Sequence, residues 1–445
     1  MILIIGSHLR TELWIRAAKQ LGPVAVLCKN GDELTIAKRL LDSVDEIIDM
    51  TDIQFESDHL NNGCPEADCL DGIKNVFDII RSDRRLRTLD WYTQKRYLCW
   101  IVRRVSSINF SKFSFGLYEA TWAHEQIIEQ FCQAAKVDLY QLRTDRFFST
   151  RFMIFLGSGY RFPVSNPFNH AAIGDYEEFL SSKTKPTDFH LVEKRNQITL
   201  RKLKSFVFLL KIALRSGGSR FIHRSFFSQI MCKVISILMR SILLRSKMFA
   251  SFDQLNRIEC PKLVVLLHMQ PEQSIDVANK IFSDQLRLIE KLRSTLKINE
   301  MLVVKEHPHC VGIRPVNFYL KVRGFPNTLL IDPHLDVNDF IEPETAVCSI
   351  SGTGVAEVAF HGGKSAFLSD NFMVEYVGNL IDLESTAELS VRSINNNVNR
   401  EGLNCFANRS FDGDVRDPFR SPKVHLAENV EKIRLGLSVV KGLYS

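Results

Sequence analysis

The sequence has no hydrophobic run long enough to span a bilayer, because Lys211, Lys233 and Arg240 interrupt its most apolar stretches before about 18 residues. It also has no recognisable signal peptide, since residues 1–5 are apolar without a basic flank and Gly6 ends the run. The ten cysteines stand singly, without a Cys-x-x-Cys pair or a Cys/His cluster at zinc spacing. These absences predict a protein of the reducing cytoplasm with neither a disulfide framework nor a structural metal.

Acidic residues are missing from one part of the chain. Residues 199–250 contain eleven Lys or Arg and no Asp or Glu, although the formal net charge of the whole chain is only +6. The rest of the chain is therefore mildly acidic, which argues against a nucleic-acid partner. Apolar residues alternate with these cations. The stretch is therefore expected to be either an amphipathic helical segment at an anionic membrane surface or a buried helical connector.

At 445 residues the chain is long enough to bury two hydrophobic cores. Helices are predicted at 12–21, 91–105, 118–135 and from 274 to about 297. Strands are predicted at 2–5, 24–27, 45–48 and 137–142, and then at 263–267, 301–304, 329–331, 346–350 and 366–368. This alternation predicts an α/β fold with two Rossmann-like lobes and parallel sheets. The expected boundaries are 1–195 for the first lobe, 196–254 for a basic helical connector and 255–445 for the second lobe, whose final helix at 424–443 could cross back.

Polar loops follow three of the strands predicted in the second lobe. Ligands of open parallel sheets bind beyond the carboxyl ends of the strands, so these loops are expected to converge at one sheet edge. They are residues 268–274 (HMQPEQS), 305–309 (KEHPH) and 351–354 (SGTG), the last of which opens a helix that holds Glu357.

The loop at 351–354 combines two hydroxyl groups and two glycines in front of a helix, which is typical of a phosphate cradle. The alternative is an ordinary tight turn in which Ser351 or Thr353 caps the helix. The loop is neither a P-loop nor a G-x-G-x-x-G element.

Lys305 and His307 flank Glu306, so strand-like alternation is expected to place both on one side of the chain, and Pro308 stiffens the exit. A cation and an imidazole there could hold a leaving phosphate and neutralise its developing charge. The alternative is a surface Lys–Glu pair beside an ordinary histidine. The chain has no Asp-x-Asp pair where a metal-dependent transferase would need one, so we expect no essential metal ion and no cofactor.

Several of these residues together resemble bacterial capsule and surface-polysaccharide biosynthesis proteins, the group that contains the capsular Kdo transferases. The matching elements are Gln270-Pro271-Glu272, Lys305-Glu306-His307-Pro308, Ser351-Gly352-Thr353-Gly354 with Glu357, and Gly362-Gly363-Lys364. The His-Pro element is also similar to that of bacterial sialyltransferases and teichoic-acid glycerophosphotransferases. The resemblance covers roughly residues 260–370. Gln270-Pro271-Glu272 departs from the Gln-x-x-x-Asp element of the Kdo transferases.

The resemblance implies a GT-B glycosyltransferase whose second lobe holds a nucleotide-activated sugar, usually linked to cytidine as in CMP-Kdo, and whose first lobe holds the acceptor. The donor-binding residues that it implies are Gln270, Lys305, His307, Pro308, Ser351, Gly352, Thr353, Gly354 and Glu357. The catalytic candidates are His307 and Glu272, with Glu119 and Asp145 on the first lobe. Arg143 and Arg146 are candidates for binding an anionic acceptor. For Glu119 and Asp145 an ordinary surface charge is the alternative.

The expected partners are a nucleotide-sugar donor, a glycan or lipid-linked acceptor and an anionic membrane surface, which would place the protein in the cytoplasm, peripherally at the inner membrane. Two other functions stay open. One is transfer of a polyol phosphate from a CDP-linked donor, as in the glycerophosphotransferases. The other is a non-catalytic role in polysaccharide assembly.

Overall fold

The computed structural model describes residues 1–51, 67–145, 147–168, 176, 235–418 and 421–443. The strands in chain order are β1 Ile2–Ile5, β2 Val24–Cys28, β3 Glu46–Asp49, β4 Phe115–Leu117, β5 Asp138–Thr144, β6 Arg151–Leu156, β7 Lys262–Leu266, β8 Met301–Lys305, β9 Thr328–Ile331, β10 Thr345–Ser349, β11 Lys364–Phe367 and β12 Ser410–Asp412.

The α-helices with described bounds alternate with these strands over most of the chain. They are α1 Thr11–Lys19, α2 Gly31–Leu40, α3 Val76–Ser82, α4 Trp91–Ser106, α5 Ala123–Ala134, α6 Phe252–Asn256, α7 Gln273–Asp276, α8 Gln285–Thr295, α9 Val316–Gly324, α10 Thr353–Phe360, α11 Val374–Val377, α12 Arg400–Ala407 and α13 Ala427–Gly442. A further helical stretch covers residues 235–245. None of the helices in the described part of the chain is both long and apolar enough to cross a membrane.

The strands within these residues form two sheets. In the first sheet, five parallel strands have the order β3-β2-β1-β4-β5, while β6 runs antiparallel to β5 and β12 antiparallel to β6. The second sheet is wholly parallel, in the order β11-β10-β7-β8-β9. Both parallel arrays reverse direction next to their first strand, which is the Rossmann arrangement. The predicted α/β, GT-B-like fold class with two Rossmann-type lobes is therefore confirmed.

Each sheet is covered on both faces, which explains why its central strands are apolar throughout. In β1, Leu3 and Ile5 pack with α4 and α5, whereas Ile2 and Ile4 pack with α1 and α13 on the other face. In the second sheet, Leu263 and Val265 face α8 and α9, and Val264 faces the opposite layer with Val358. Successive side chains of a strand point to opposite faces, so both cores follow from continuous apolar runs.

The lobes contact each other through apolar and polar side chains. The Phe155 and Phe372 rings lie 5.1 Å apart, and the Phe372 N–H donates to Tyr160 O at 3.0 Å. Gln273 Nε2 donates to Gln141 Oε1 at 2.6 Å. These contacts set the loop after β7 against the first lobe.

The end of the chain returns to the first lobe. β12 pairs with β6, and α13 packs on α1. β12 and α13, which follow the second lobe in the chain, thus lie against the first lobe. Because β6 and β12 are far apart in the sequence, no local sequence pattern predicts their antiparallel pairing. Of the predicted basic connector, residues 196–234 lie outside the described residues. The part from 235 onward packs on the second lobe through Leu243.

Three local predictions are wrong. The single helix expected from 274 to about 297 is interrupted, because the Asp284 carboxylate accepts hydrogen bonds from Leu286 N and Arg287 N and so starts a new helix, α8. The helix expected from 118 begins only at Ala123. Cys69 and Cys99, expected to be unpaired, form a disulfide with their Cα atoms 5.7 Å apart. A spacing of 30 residues carries no sign of pairing in the sequence.

Candidate functional site

The loops after β7, β8 and β10 meet at the carboxyl edge of the second sheet. His268 connects two of them, because its Nε2 accepts a hydrogen bond from the Ser351 N–H at 3.3 Å and lies 2.9 Å from Ser349 Oγ. The neutral ring therefore carries its proton on Nδ1, which faces Glu272 Oε2 at 3.8 Å. The sequence analysis did not single out His268 as a site residue. Its position after β7 was the only available signal.

Arg314 connects the loop after β8 to the loop after β7. Its guanidinium pairs with Glu306 at 2.6 Å, donates to His268 O at 2.5 Å and donates to Gln270 Oε1 at 3.1 Å. Tyr319 also donates to Glu306, at 3.2 Å. Burial raises the pKa of Glu306, and the adjacent Arg314 opposes that rise. Arg314 was also missed, because its three partners are distant in sequence.

Gln270 stabilises the conformation of its loop. Its Nε2 donates to Asp276 Oδ1 at 3.0 Å and to Ser283 O at 2.7 Å, while its Oε1 accepts from Gln285 and Arg314. These bonds occupy the amide, so its geometry favours a supporting role over direct contact with a donor.

Lys305 and His307 differ in their surroundings. Lys305 is buried, and its Nζ donates to Pro333 O at 2.8 Å in the loop after β9. Burial lowers the pKa of Lys305 to about 8. His307 Nδ1 accepts from the His309 N–H at 3.2 Å, so the neutral ring carries its proton on Nε2. Burial, with the neighbouring His309, lowers the pKa of His307 to about 4. At neutral pH, Lys305 is thus a cation and His307 a neutral donor.

The 351–354 loop leads directly into α10, with Gly352 as its N-cap. Ser351 Oγ is buried and has no hydrogen-bond partner among the residues that the structure describes. A Cβ on Gly352 would lie 2.8 Å from Ser349 Oγ, and one on Gly354 would lie 2.8 Å from Leu266 Cδ1, so the loop packs closely only with glycine at both positions. The first N–H groups of a helix have no acceptor within it, so this hydroxyl and helix end can together hold an anion.

Three further predicted residues border or support this edge. Pro308 begins a short 3-10 helix, Pro308–Cys310, directly after His307. Thr353 is the first residue of α10, and Glu357 lies one turn further on, where its Oε1 accepts from Asn338 Nδ2 at 3.1 Å.

Glu119 and Arg143 lie at the carboxyl edge of the first sheet. Glu119 pairs with Arg10 at 2.7 Å, and Arg143 donates to Glu119 O at 2.8 Å. Burial would raise the pKa of Glu119, but Arg10 and Arg143 outweigh it and lower the pKa to about 2. Arg143 also donates to Gln141, the residue that contacts Gln273 of the second lobe. These two predicted residues therefore adjoin the contact between the lobes.

Asp145 is enclosed by protein donors. Its carboxylate accepts from Phe147 N at 2.7 Å, Phe148 N at 3.2 Å and Ser410 Oγ at 2.7 Å, and also from the Tyr176 hydroxyl. This geometry favours a role in joining β5 to β12. Arg146 lies outside the described residues.

A group of basic side chains that the sequence analysis missed also follows first-lobe strands. His8 comes after β1, Lys29 after β2, and His124 after β4 at the start of α5. Lys29 and His8 contact the Trp122 ring. The strand-end rule used for the second lobe would have found them, had it been applied to the first lobe as well.

Neither the strand ends nor any other part of the described chain brings together three His, Cys, Asp or Glu side chains that could hold a metal ion. A groove of about 600 Å³ lies between α1 and α13 and is lined by Arg16, Lys19, His425 and Glu431 among others. It opens at the amino edge of the first sheet, away from the strand-end residues described above.

Neither a protein-family model nor a curated protein sequence matches the chain. Among solved structures it is similar to the β-Kdo 2,7 transferase KpsC of Thermosulfurimonas dismutans, with 13% identity over 74% of this chain and 84% of that one and a TM-score of 0.31. It is also similar to Os79 from O. sativa in complex with UDP and deoxynivalenol-3-glucoside, at 10% identity, full coverage of both chains and a TM-score of 0.23. A putative UDP-N-acetylglucosamine 2-epimerase from Listeria monocytogenes is similar at 10% identity over 100% and 96% of the chains, with a TM-score of 0.23. These are similarities of fold alone.

Proposed function

We propose that this chain is a glycosyltransferase that uses a nucleotide-activated sugar, with the nucleotide phosphates bound at the carboxyl edge of the second sheet. The observation that carries the proposal is the convergence there of the unpartnered Ser351 hydroxyl, the N-terminus of α10 and the Nε2–H of His307. Hydrogen-bond donors arranged in advance around a leaving phosphate stabilise the charge that develops during transfer.

The roles follow from the charges of the side chains. Ser351 and α10 bind the phosphate, His307 donates to the leaving oxygen, and Lys305 adds positive charge from beneath the loop. Glu272 is the general base that we favour for the acceptor hydroxyl, because it lies beside His268 and its side chain is 38% exposed. Glu119, with its pKa of about 2, is a weak base, so we assign it to orienting Arg10 and Arg143 towards the acceptor.

We further propose that the donor is cytidine-linked, that the acceptor is a surface polysaccharide or a lipid-linked glycan, and that transfer requires no metal ion. The resemblance of the 270–272, 305–308 and 351–354 elements to capsular Kdo transferases supports the first two points. The last rests on the neutral and cationic donors already present for the leaving phosphate.

Nucleotide binding tests this assignment directly. Isothermal calorimetry with CMP and UMP should detect binding, and Ser351→Ala should weaken it by about tenfold, because a hydrogen bond to a charged group is worth roughly 1.5–3 kcal/mol. Ser294→Ala, on an exposed position of α8, should leave binding unchanged. If neither nucleotide bound at millimolar concentration to the folded protein, a non-catalytic role in polysaccharide assembly would be favoured instead.

We also propose that the protein attaches reversibly to an anionic membrane through residues 199–250. In the described part of this stretch, the helix at 235–245 turns Leu243 into the second-lobe core and leaves four apolar side chains largely exposed. They are Ile235, Ile237, Leu238 and Ile242. Exposed apolar side chains on a helix that carries cations and no acids fit a helix lying in a lipid interface.

A further inference from the structure

The first lobe contains a group of basic side chains that the assignments above do not use, which we call the cationic pocket. It consists of Lys29, Arg85 and His8, which lie around the Trp122 ring, and of His124, which interacts electrostatically with all three. Lys29 Nζ lies 4.9 Å and Arg85 Cζ lies 5.3 Å from the centre of that ring, and the His8 ring meets its edge.

The ammonium group of Lys29 is buried and incompletely compensated. Lys29 is 3% exposed, and its Nζ makes no hydrogen bond to any described part of the chain. The carboxylate beside it is Glu33, whose Oε1 is 3.9 Å away, beyond hydrogen-bond distance. The Glu33 oxygens instead accept from His8 N at 2.6 Å and Lys29 N at 2.8 Å. A buried charge without hydrogen bonds is costly, so this position favours an anionic ligand.

The two histidines of the pocket can both donate hydrogen bonds. Asn30 Oδ1 accepts from Glu33 N, which fixes the amide so that its Nδ2 faces His8 Nδ1 at 3.2 Å. His8 Nδ1 is therefore an acceptor, and the neutral ring carries its proton on Nε2. His124 is 2% exposed, and neither of its ring nitrogens has a hydrogen-bond partner in the described ranges of the chain. Burial and then the charges of Lys29 and Arg85 lower the pKa of His124.

The acidic groups that face the pocket are already engaged. Glu119 pairs with Arg10. Glu125 accepts from Thr121 N at 2.7 Å and Trp122 N at 2.8 Å, and burial raises its pKa to about 7. Burial likewise raises the pKa of Glu33. Because these carboxylates are satisfied by other donors, they leave the Lys29 ammonium and the His124 ring available to a ligand.

We propose that Lys29, Arg85, His8 and His124 bind a carboxylate or phosphate group on the acceptor, which makes the acceptor an acidic glycan. This inference rests on the proposed transferase function. Arg84, adjacent to Arg85, donates to Pro271 O at 3.1 Å, so the segment that carries Arg85 contacts the second-lobe loop that carries Glu272. An acidic sugar anchored by its anionic group would thus lie beside the proposed base.

Ligand titration of the full-length protein tests the pocket. With CMP saturating the second lobe, calorimetry should detect millimolar binding of glucuronate or of inorganic phosphate, and no binding of glucose. Comparing glucuronate with phosphate identifies which anion the pocket prefers. Lys29→Met should weaken that binding by at least about tenfold, because it removes the buried charge that would pair with the anion. Lys74→Met, the same change on an exposed lysine of the same lobe, should have no effect.

Thermal unfolding gives a second readout that does not depend on catalysis. The anion should raise the thermal unfolding midpoint of the wild-type protein. It should not raise that of Lys29→Met or His124→Phe, because only a protein that binds the ligand is stabilised by it. Equal anion affinities in Lys29→Met and Lys74→Met would contradict the proposed anion site. So would the absence of anion binding to folded protein that still binds CMP. Neither result would contradict the proposed donor site. Loss of CMP binding itself would count against the transferase proposal instead.

Discussion

Burial gives Lys305 and His307 different charges, although they are two residues apart on the same strand end. The pKa of Lys305, about 8, leaves it charged at neutral pH, whereas that of His307, about 4, keeps the imidazole neutral. A cation and a neutral N–H donor can both hydrogen-bond to a phosphate group, which is already anionic when the nucleotide binds. Nucleotide binding should therefore depend on pH through Lys305.

Nucleotide affinity should fall as the pH rises through about 8. Lys305 has a folded-state pKa below that of a free lysine, so it loses its proton in this range, while a bound phosphate favours the charged form. Binding above pH 8 should therefore be accompanied by proton uptake, measurable by calorimetry in buffers with different ionisation enthalpies.

Lys305→Met should bind nucleotide more weakly and without this pH dependence, and Lys305→Arg should keep the charge at every pH tested. Lys364→Met, on the first residue of β11, is the control and should titrate like the wild type. If Lys305→Met and wild-type protein showed the same decline with pH, Lys305 would not be the group that titrates.

The sequence indicated some site residues and not others for a physical reason. His307 and Ser351 could be predicted because each directly follows an apolar strand, and strand ends of a parallel sheet share an edge. Arg314 and His268 could not be predicted to connect the loops, because their contacts depend on how distant segments pack. Asp145 looked like a surface charge or a catalyst, yet its Ser410 partner lies 265 residues away.

The helix at 235–245 is the element whose described surface bears on membrane attachment. Its inner side packs closely on the second lobe, since a Cβ on Gly312 would lie 2.2 Å from Ser236 O. In water its exposed apolar side chains contribute no hydrophobic free energy. Burying them in a lipid interface would contribute roughly 25 cal/mol per Å² of apolar surface.

In liposome flotation, the protein should float with anionic vesicles at low salt and be released at high salt, because part of the attraction is Coulombic. Substituting Leu238 and Ile242 by Ser should weaken flotation, and so should replacing Arg215, Arg220, Arg224, Lys233 and Arg240 by Gln. Leu320→Ser removes an exposed apolar side chain from α9 and should change nothing. Equal recovery with neutral and anionic vesicles would return the stretch to a connector role.

Elements with long apolar runs could be predicted from the sequence, and short or non-local ones could not. β1, β7, β8 and β10 lie where continuous apolar residues predicted them. β4 has only the three residues Phe-Gly-Leu and was not predicted. Gly116 permits it to pack closely, since a Cβ there would lie 2.6 Å from Leu139 Cδ2. β12 exists as a strand only because it pairs with β6.

In the molecule as a whole, the two Rossmann-type lobes place the carboxyl edges of their sheets on either side of one contact region. Gln141, Arg143 and Tyr160 approach it from the first lobe, and Gln273 approaches it from the second. The return of β12 and α13 ties the end of the chain to the lobe where it began. A donor on the second sheet and an acceptor on the first would therefore meet between the lobes.

Release of nucleotide from sugar donors is the decisive assay for the proposed metal-independent glycosyl transfer. The protein would be incubated with CMP-, CDP-, UDP- and GDP-linked sugars and an acidic glycan, with and without EDTA, and the free nucleotide measured. We expect release from the CMP-linked sugar that persists in EDTA. It should be lost in His307→Ala, with an unchanged circular dichroism spectrum, and retained in His361→Ala. Release from a CDP-linked polyol alone, release from no donor, or undiminished release by His307→Ala would contradict it.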